Sequence, residues 1–143
     1  MESSLSNPDL TGRSRPGAAS LSDQLLARAR SRLRRLTAEQ AAAARAQGDL
    51  LIDIRSADQR RRDGDIPGAI AIERTVLEWR LDPTSPWRID EASGPEIRVV
   101  LICAEGYSSS LAAASLQDLG LGNVTDVIDG FAAWRSAGLP IKR

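Results

Sequence analysis

Short apolar runs alternate with amphipathic or polar stretches from about residue 36 to the end of the chain. Four runs have the length and aliphatic composition of buried strands, which predicts strands at 50–54, 66–72, 98–103 and 124–128. The segments between them predict helices at 38–47, 57–63, 76–81, 108–119 and 130–137. Strands that alternate with helices indicate an α/β fold, with a parallel sheet covered by helices on both faces.

Residues at the predicted helix ends support these assignments. Thr37 and Gln40 have the spacing of a capping box, in which each side chain satisfies a backbone N–H at the start of a helix. Gly48 and Gly120 follow the apolar positions of two helices, where glycine commonly ends a helix. Pro83, Pro86 and Pro95 exclude long regular elements between residues 82 and 97.

The N-terminal third differs in composition from the rest. Residues 1–20 are rich in Ser, Pro, Gly and Arg, which predicts a disordered tail. Residues 21–35 carry a loose leucine stripe and five arginines between positions 28 and 35, which predicts an Arg-rich helix. Its basic face is interpreted either as a solvated surface or as a docking surface for an acidic partner. The compact domain is therefore expected to span residues 36–143.

The residue types limit the chemistry. The chain has 143 residues, one cysteine and no histidine. A single cysteine excludes an internal disulfide and a cysteine metal cluster, and the lack of histidine excludes His-based acid–base catalysis. We therefore expect no metal and no cofactor, and we expect any nucleophilic chemistry at the thiol of Cys103.

Charge and hydropathy restrict the partners and the location. The net charge is zero, but residues 1–45 carry +4 and residues 46–143 carry −4. An acidic domain argues against nucleic acid as a partner. No run approaches the roughly 18 apolar residues that span a bilayer, and the N-terminus lacks the apolar core of a secretory signal. These features predict a cytoplasmic protein without a membrane partner; they do not indicate an oligomeric state.

The clearest candidate site is the loop after the strand 98–103. Cys103 ends that strand, Ala104, Glu105, Gly106 and Tyr107 follow, and a helix is predicted to begin at Ser108. Such a loop can turn its N–H groups, together with the positive end of the helix, toward one point. A thiol there ionises more readily and becomes a nucleophile. The alternative is that Cys103 is only a small buried core residue.

Four motifs follow one another along about residues 36–141. Leu50–Arg55 is an apolar run that ends in Asp-x-Arg, and Gly64–Ile70 contains Ile-Pro-Gly-Ala. Val99–Ser109 is an apolar strand with a Cys-x-x-Gly-x-Ser loop, and Asp129–Pro140 contains Gly-Phe-x-x-Trp and Ala-Gly-Leu-Pro. In this order they resemble the rhodanese family: its first core strand, its Gly-His-Ile-Pro-Gly-Ala motif, its active-site strand and loop, and its C-terminal Gly-Gly-Phe-x-x-Trp and Ala-Gly-Leu-Pro.

The resemblance implies a three-layer α/β fold with a central, mainly parallel sheet of five strands and helices on both faces. It implies that Cys103 carries sulfur as a persulfide and that the backbone of Ala104, Glu105, Gly106, Tyr107 and Ser108 forms the active loop. Asp53 and Arg55 are then expected to support that loop structurally.

Two features depart from a simple thiosulfate site. The loop holds no Arg or Lys, and Glu105 places a negative charge two residues after the thiol. That carboxylate opposes a thiolate and repels a dianion such as thiosulfate. Arg74 and Arg80, together with Arg88, are candidates for the missing cation and for substrate contacts. The alternative is that they are ordinary surface arginines.

The favoured function is a sulfurtransferase that moves sulfur from thiosulfate or a persulfide, through Cys103, to cyanide or a thiol, which includes a protein thiol. One alternative is a non-catalytic binding or regulatory module on the same fold. The other is a cysteine phosphatase or arsenate reductase, which needs an Arg six residues after the cysteine. Ser109 occupies that position.

Overall fold

The computed structural model describes residues 19–143. The predicted tail therefore lies almost entirely outside the described residues. Helices and strands alternate along the chain in the order α1 (Leu21–Arg30), α2 (Ala38–Ala46), β1 (Leu50–Asp53), α3 (Ala57–Asp63), β2 (Ile70–Ala71), α4 (Leu77–Leu81), β3 (Val99–Ile102), α5 (Ser108–Leu119), β4 (Val124–Asp126) and α6 (Gly130–Ser136). A short 3₁₀ turn at Arg74–Val76 leads into α4.

The strands form one parallel sheet in the order β2-β1-β3-β4. Leu50 pairs with Val99 and Asp53 with Ile102, so β1 and β3 end at the same edge. The α/β fold and the parallel sheet are confirmed. Among residues 19–143 the sheet has four strands rather than the five expected, because in this range only Leu36, in a single bridge to Val127, lies where a fifth would add beside β4.

The sheet separates two apolar layers because alternate strand residues face opposite sides. On one side, Ile52, Val99 and Leu101 pack with residues of α4 and α5. On the other side, Leu51, Val100 and Ile102 pack with residues of α2 and α6. The near-continuous apolar composition of these strands follows from this two-sided burial.

Helix α1 packs against α5, outside the sheet layers. The helix is shorter than the 21–35 expected, because it ends at Arg30 and the chain turns at Ser31. From Arg34 the chain runs along β4, where the Leu36 N–H donates to the Asp126 carbonyl and the Leu36 carbonyl accepts from the Ile128 N–H. Pairing with the sheet therefore replaces the last turn that the arginine-rich sequence favours.

The predicted helix ends are confirmed. Thr37 and Gln40 form the reciprocal capping box of α2. Gly48 follows the C-terminal end of α2 with φ +109°, and Gly120 ends α5 with φ +123°. Both glycines adopt a backbone conformation that other residues rarely reach.

Candidate active site

Cys103 follows β3 directly and lies at the carboxyl end of the sheet. Its side chain is buried, and its sulfur accepts hydrogen bonds from the backbone N–H groups of Gly106, at 3.1 Å, and Ser109, at 3.4 Å. Helix α5 begins at Ser108, as the sequence predicted. The thiol thus lies in a cradle of N–H groups at the positive end of a twelve-residue helix, which favours an anion at sulfur.

The loop can close this tightly only because residue 106 is glycine. Gly106 has φ +86°, and a Cβ built there would lie 2.7 Å from the backbone nitrogen of Asp129. Any side chain would therefore strain the backbone and push the loop away from the turn that precedes α6.

Helix α6 supports the loop from behind. The N–H of Phe131 donates to the Cys103 carbonyl at 2.8 Å, and the N–H of Ala132 donates to the Ala104 carbonyl at 3.1 Å. A Cβ on Gly130 would lie 2.3 Å from that Cys103 carbonyl oxygen. The first turn of α6 and the cysteine backbone are thus in contact with no room for a side chain between them.

Two arginines from the N-terminal segment reach the loop. Arg30 Nη2 donates to the Gly106 carbonyl at 2.7 Å, and Arg35 Nη2 donates to the same oxygen at 2.9 Å. The Arg30 guanidinium also lies 5.6 Å from the centroid of the Tyr107 ring. Burial lowers the pKa of Arg30, and repulsion from Arg35 lowers it further. The cations beside the loop therefore include side chains for which the sequence suggested only a solvated or docking role.

A buried carboxylate holds the start of α5. Asp126, at the end of β4, accepts hydrogen bonds from the hydroxyl groups of Ser109 and Ser110, both at 2.7 Å. Arg35 donates to both oxygens of the same carboxylate, at 2.9 and 3.2 Å. No local pattern indicated Asp126 as part of the site; its only sequence signal was a charge inside a predicted buried strand.

Asp53 and Arg55 form a second buried pair, next to β3 in the sheet. Arg55 donates to both oxygens of Asp53 and to the Gly64 carbonyl, and its guanidinium lies 3.9 Å from the centroid of the Phe131 ring. Phe131 in turn donates its N–H to the Cys103 carbonyl. This chain of contacts is compatible with the supporting role expected for the pair.

Arg74 and Arg80 bind partners on their own segment. Arg74 donates to both carboxylate oxygens of Glu78, and Arg80 donates to the Trp87 carbonyl at 2.7 Å. Arg74 also lines a cavity of about 370 Å³ that includes Arg55. Substrate contact by Arg74 or Arg80 stays a prediction.

A wide groove of about 1090 Å³ lies beside the active loop, between α1 and α6. Its lining includes Glu105 and Tyr107 from the loop, both exposed, as well as Arg30 and Arg35. The groove therefore presents charges of both signs to whatever approaches the loop from this side.

Residues 19–143 contain no cluster of acidic or cysteine side chains that could hold a metal ion. Within the same residues, no helix has the length and apolar character of a membrane span.

A buried cysteine in a backbone cradle at the end of a parallel strand defines a class of thiol-dependent group-transfer proteins. The family model of the rhodanese-like domain matches residues 37–137, and the chain belongs to this family. The family-level activity that its relatives support is sulfur transfer. The match begins after Arg30 and Arg35.

A curated relative and two solved structures are similar to this chain over most of its length. Thiosulfate sulfurtransferase GlpE of Pseudomonas entomophila is 34% identical over 106 residues, which cover 74% of this chain and 88% of the relative. A solved protein of unknown function and possible tyrosine phosphatase from Rhodopseudomonas palustris is 36% identical, with a TM-score of 0.77, and the match covers 87% of this chain and 96% of that one. The polysulfide-sulfur transferase of Wolinella succinogenes, 23% identical with a TM-score of 0.67 over 82% of this chain and 84% of that one, shares the fold.

Proposed function

We propose that this protein is a sulfurtransferase in which Cys103 carries one sulfur atom as a persulfide between a small donor and an acceptor thiol or cyanide. The observation that supports this most directly is that the buried sulfur of Cys103 accepts hydrogen bonds from the backbone N–H groups of Gly106 and Ser109. Such a cradle stabilises a thiolate and, after loading, the negative charge of the terminal persulfide sulfur.

The proposed cycle has two displacement steps. The Cys103 thiolate attacks the outer sulfur of the donor, an S–S bond forms, and the donor leaves as sulfite from thiosulfate or as a thiolate from a persulfide. An acceptor thiolate or cyanide then attacks the terminal sulfur of the persulfide. This second step releases the Cys103 thiolate, so no external oxidant, metal or cofactor is needed.

The donor is either thiosulfate or a persulfide, and the structure offers arguments for both. GlpE of Pseudomonas entomophila is named a thiosulfate sulfurtransferase, and Arg30 and Arg35 place positive charge beside the loop. Glu105, exposed on the loop itself, repels a dianion. We therefore propose that Cys103 takes sulfur faster from a thiol-borne persulfide than from thiosulfate. The cycle requires a free thiol, which a reducing cytoplasm preserves. The cytoplasmic location stays a prediction.

A phosphatase is the second candidate, because the Rhodopseudomonas palustris structure carries that name as a possibility. Cysteine phosphatases clamp the phosphate oxygens with a cation at the position that Ser109 occupies here. The Ser109 hydroxyl donates to the buried carboxylate of Asp126 instead. This orientation argues against phosphoryl transfer, and hydrolysis of an aryl phosphate no faster than in a Cys103→Ser variant is the expected result.

Mass spectrometry of the intact protein tests the proposed function. Incubation with thiosulfate, and separately with a small-molecule persulfide, should add one sulfur atom to the wild-type protein. Cyanide or a thiol should then remove it. Cys103→Ser should show no gain while it keeps the wild-type circular dichroism spectrum, because Cys103 is the only cysteine.

A stable gain of sulfur in folded Cys103→Ser would overturn the proposal. No gain in the wild-type protein with either donor would also overturn it, and would favour the non-catalytic module.

A further inference from the structure

The N-terminal segment takes part in the geometry of the active loop. Arg30, the last residue of α1, and Arg35, in the extended stretch beyond it, both donate to the carbonyl oxygen of Gly106. Both precede the part of the chain that the family model matches. We propose that Arg30 and Arg35 are positioning residues that hold the sulfur-transfer loop in its reactive conformation, an inference that rests on the proposed function.

The first argument concerns the peptide between Gly106 and Tyr107. This peptide is trans, so its carbonyl and its N–H point in opposite directions. Two guanidinium groups hold the carbonyl on the side of the N-terminal segment, and the Tyr107 N–H is therefore held toward the other side. The N–H of Gly106 belongs to the preceding peptide and donates to the Cys103 sulfur at 3.1 Å. Holding the Gly106 carbonyl therefore restrains the residue that carries this donor on its other side.

Glycine is the reason that such a fixation is needed. Gly106 has the backbone freedom that the turn requires, and the same freedom lets the adjoining peptides rotate. Two charge-assisted hydrogen bonds to one carbonyl oppose that rotation more strongly than neutral bonds would. The two arginines thereby restrict the backbone flexibility that glycine at position 106 introduces.

The second argument concerns the other donor to sulfur. Ser109 donates its N–H to Cys103 Sγ and its hydroxyl to Asp126. Arg35 holds both oxygens of that carboxylate. Arg30 reaches the same region by donating Nε to the Ser110 hydroxyl at 3.1 Å. Each of the two N–H groups described at the sulfur is therefore linked to the arginine pair through at most two further contacts.

Charge substitutions in the full-length protein test this inference. Arg30→Gln and Arg35→Gln each remove one of the two guanidinium groups at the Gly106 carbonyl, together with that arginine's contact to Ser110 or to Asp126. Arg30→Lys keeps the charge but changes the reach and the number of donors. Arg28→Gln and Arg34→Gln are matched controls, because both arginines are exposed, lie in the same segment and lose the same charge. The measurements are the rate of Cys103 alkylation by iodoacetamide across pH, the rate of sulfur loading, and the melting temperature.

Arg30→Gln should slow alkylation and sulfur loading at neutral pH by about tenfold, which is less than the roughly hundredfold cost of a 1 Å misplacement at a reacting centre. The pH at which alkylation is half-maximal should rise, because a loosened cradle stabilises the thiolate less. Arg30→Lys should recover part of the loss, and the two controls should stay within about twofold of wild type.

The inference is overturned if folded Arg30→Gln alkylates and loads like wild type, or if all four Arg→Gln variants change by the same factor, since that would indicate net charge alone. A lower melting temperature with an unchanged pH profile would also overturn it, because the contacts would then be purely structural. If Arg35→Gln does not fold, Arg30→Gln decides alone. Failure of the proposed function is distinguishable, because it removes sulfur loading from the wild-type protein while the alkylation profile still reports on the loop.

Discussion

The guanidinium of Arg35 and the carboxylate of Asp126 form a two-point ion pair, with N–O distances of 2.9 and 3.2 Å, between the N-terminal segment and the end of β4. The Asp126 side chain is fully buried and the Arg35 side chain keeps 15% of its exposure. A carboxylate in that position needs its partners, because an unpaired buried charge is costly.

Asp126→Asn should therefore destabilise the protein by about 2–4 kcal/mol, slightly below the roughly 3–5 kcal/mol typical of a broken buried pair, since Arg35 is partly solvated. The asparagine oxygen also cannot accept from Arg35, Ser109 and Ser110 together. Urea unfolding measures the change. Asp118→Asn is the control, because Asp118 pairs with Arg32 at the surface, and it should change stability by at most about 0.5 kcal/mol. Equal effects of the two substitutions would contradict the conclusion that the buried Arg35–Asp126 pair stabilises the protein.

Gly130→Ala should disturb the active loop directly. Gly130 has φ +53°, and its new Cβ would overlap the Cys103 carbonyl oxygen at 2.3 Å. We expect a loss of about 2–3 kcal/mol in the free energy of unfolding, from backbone strain together with displacement of the loop. Gly122→Ala is the control, since nothing lies within 4 Å of a Cβ there. A Gly130→Ala protein with wild-type stability and sulfur loading would show that the loop and α6 can separate freely.

Glu105→Gln should change the choice of donor. The carboxylate is exposed on the loop, where it opposes an incoming dianion more than a neutral persulfide. We expect kcat/KM for thiosulfate to rise about three- to tenfold after screening by water and salt, with a much smaller change for a thiol-borne persulfide. Glu39→Gln, in the lining of the same groove, is the control and should leave the ratio of the two donors unchanged. Equal rate changes for both donors would show that Glu105 does not select the donor through its negative charge.

Glu78 should make the stability depend on pH on the acidic side. Its partial burial raises the pKa of the carboxyl, but hydrogen bonds from Ser115 and Arg74 outweigh this and lower the pKa below its ordinary value of 4.5. Because the pKa is depressed in the folded state, the stabilisation is complete above about pH 4.5 and is lost as the pH falls through the folded value.

Glu78→Gln should accordingly cost about 0.5–1 kcal/mol at pH 7, and the difference from wild type should shrink below pH 4.5. Unfolding by urea at several pH values between 3 and 7 gives this curve. Glu73→Gln is the control, because Glu73 is an exposed neighbour whose side chain does not cap the turn that follows; it should change stability at pH 7 by at most about 0.5 kcal/mol. A difference for Glu78→Gln that stays constant across this range would argue against a depressed pKa.

The sequence predicted those features that depend on neighbouring residues. The capping box at Thr37, the strand that leads to Cys103 and the start of α5 at Ser108 all follow from local patterns, and the structure has each of them. The contacts of Arg30 and Arg35 with Gly106 could not be predicted in this way, because they join residues 76 and 71 positions apart. The sequence of an arginine-rich segment looks the same whether its side chains are solvated or bind a carbonyl oxygen far along the chain.

The strand count shows the same limit. Five strands were expected from the resemblance, and in the described part of the chain the place beside β4 is taken by Leu36 alone. Residues 33–36 combine Leu and Arg without the alternation of a strand, so their extended path depends on the open flank of β4. Local propensity favours a longer helix at this point, and the hydrogen bonds of Leu36 to the sheet override it.

The path of Leu36 along β4 has a consequence for the behaviour of the protein in concentrated solution. An uncovered strand flank is a template onto which another polypeptide can add, and this is a common start of aggregation. Here the Asp126 carbonyl and the Ile128 N–H are occupied by Leu36, and the Thr125 hydroxyl donates to the Arg34 carbonyl at 2.8 Å. Residues 34–36, which include the Arg35 that contacts the active loop, thus also protect the β4 edge of the sheet against self-association.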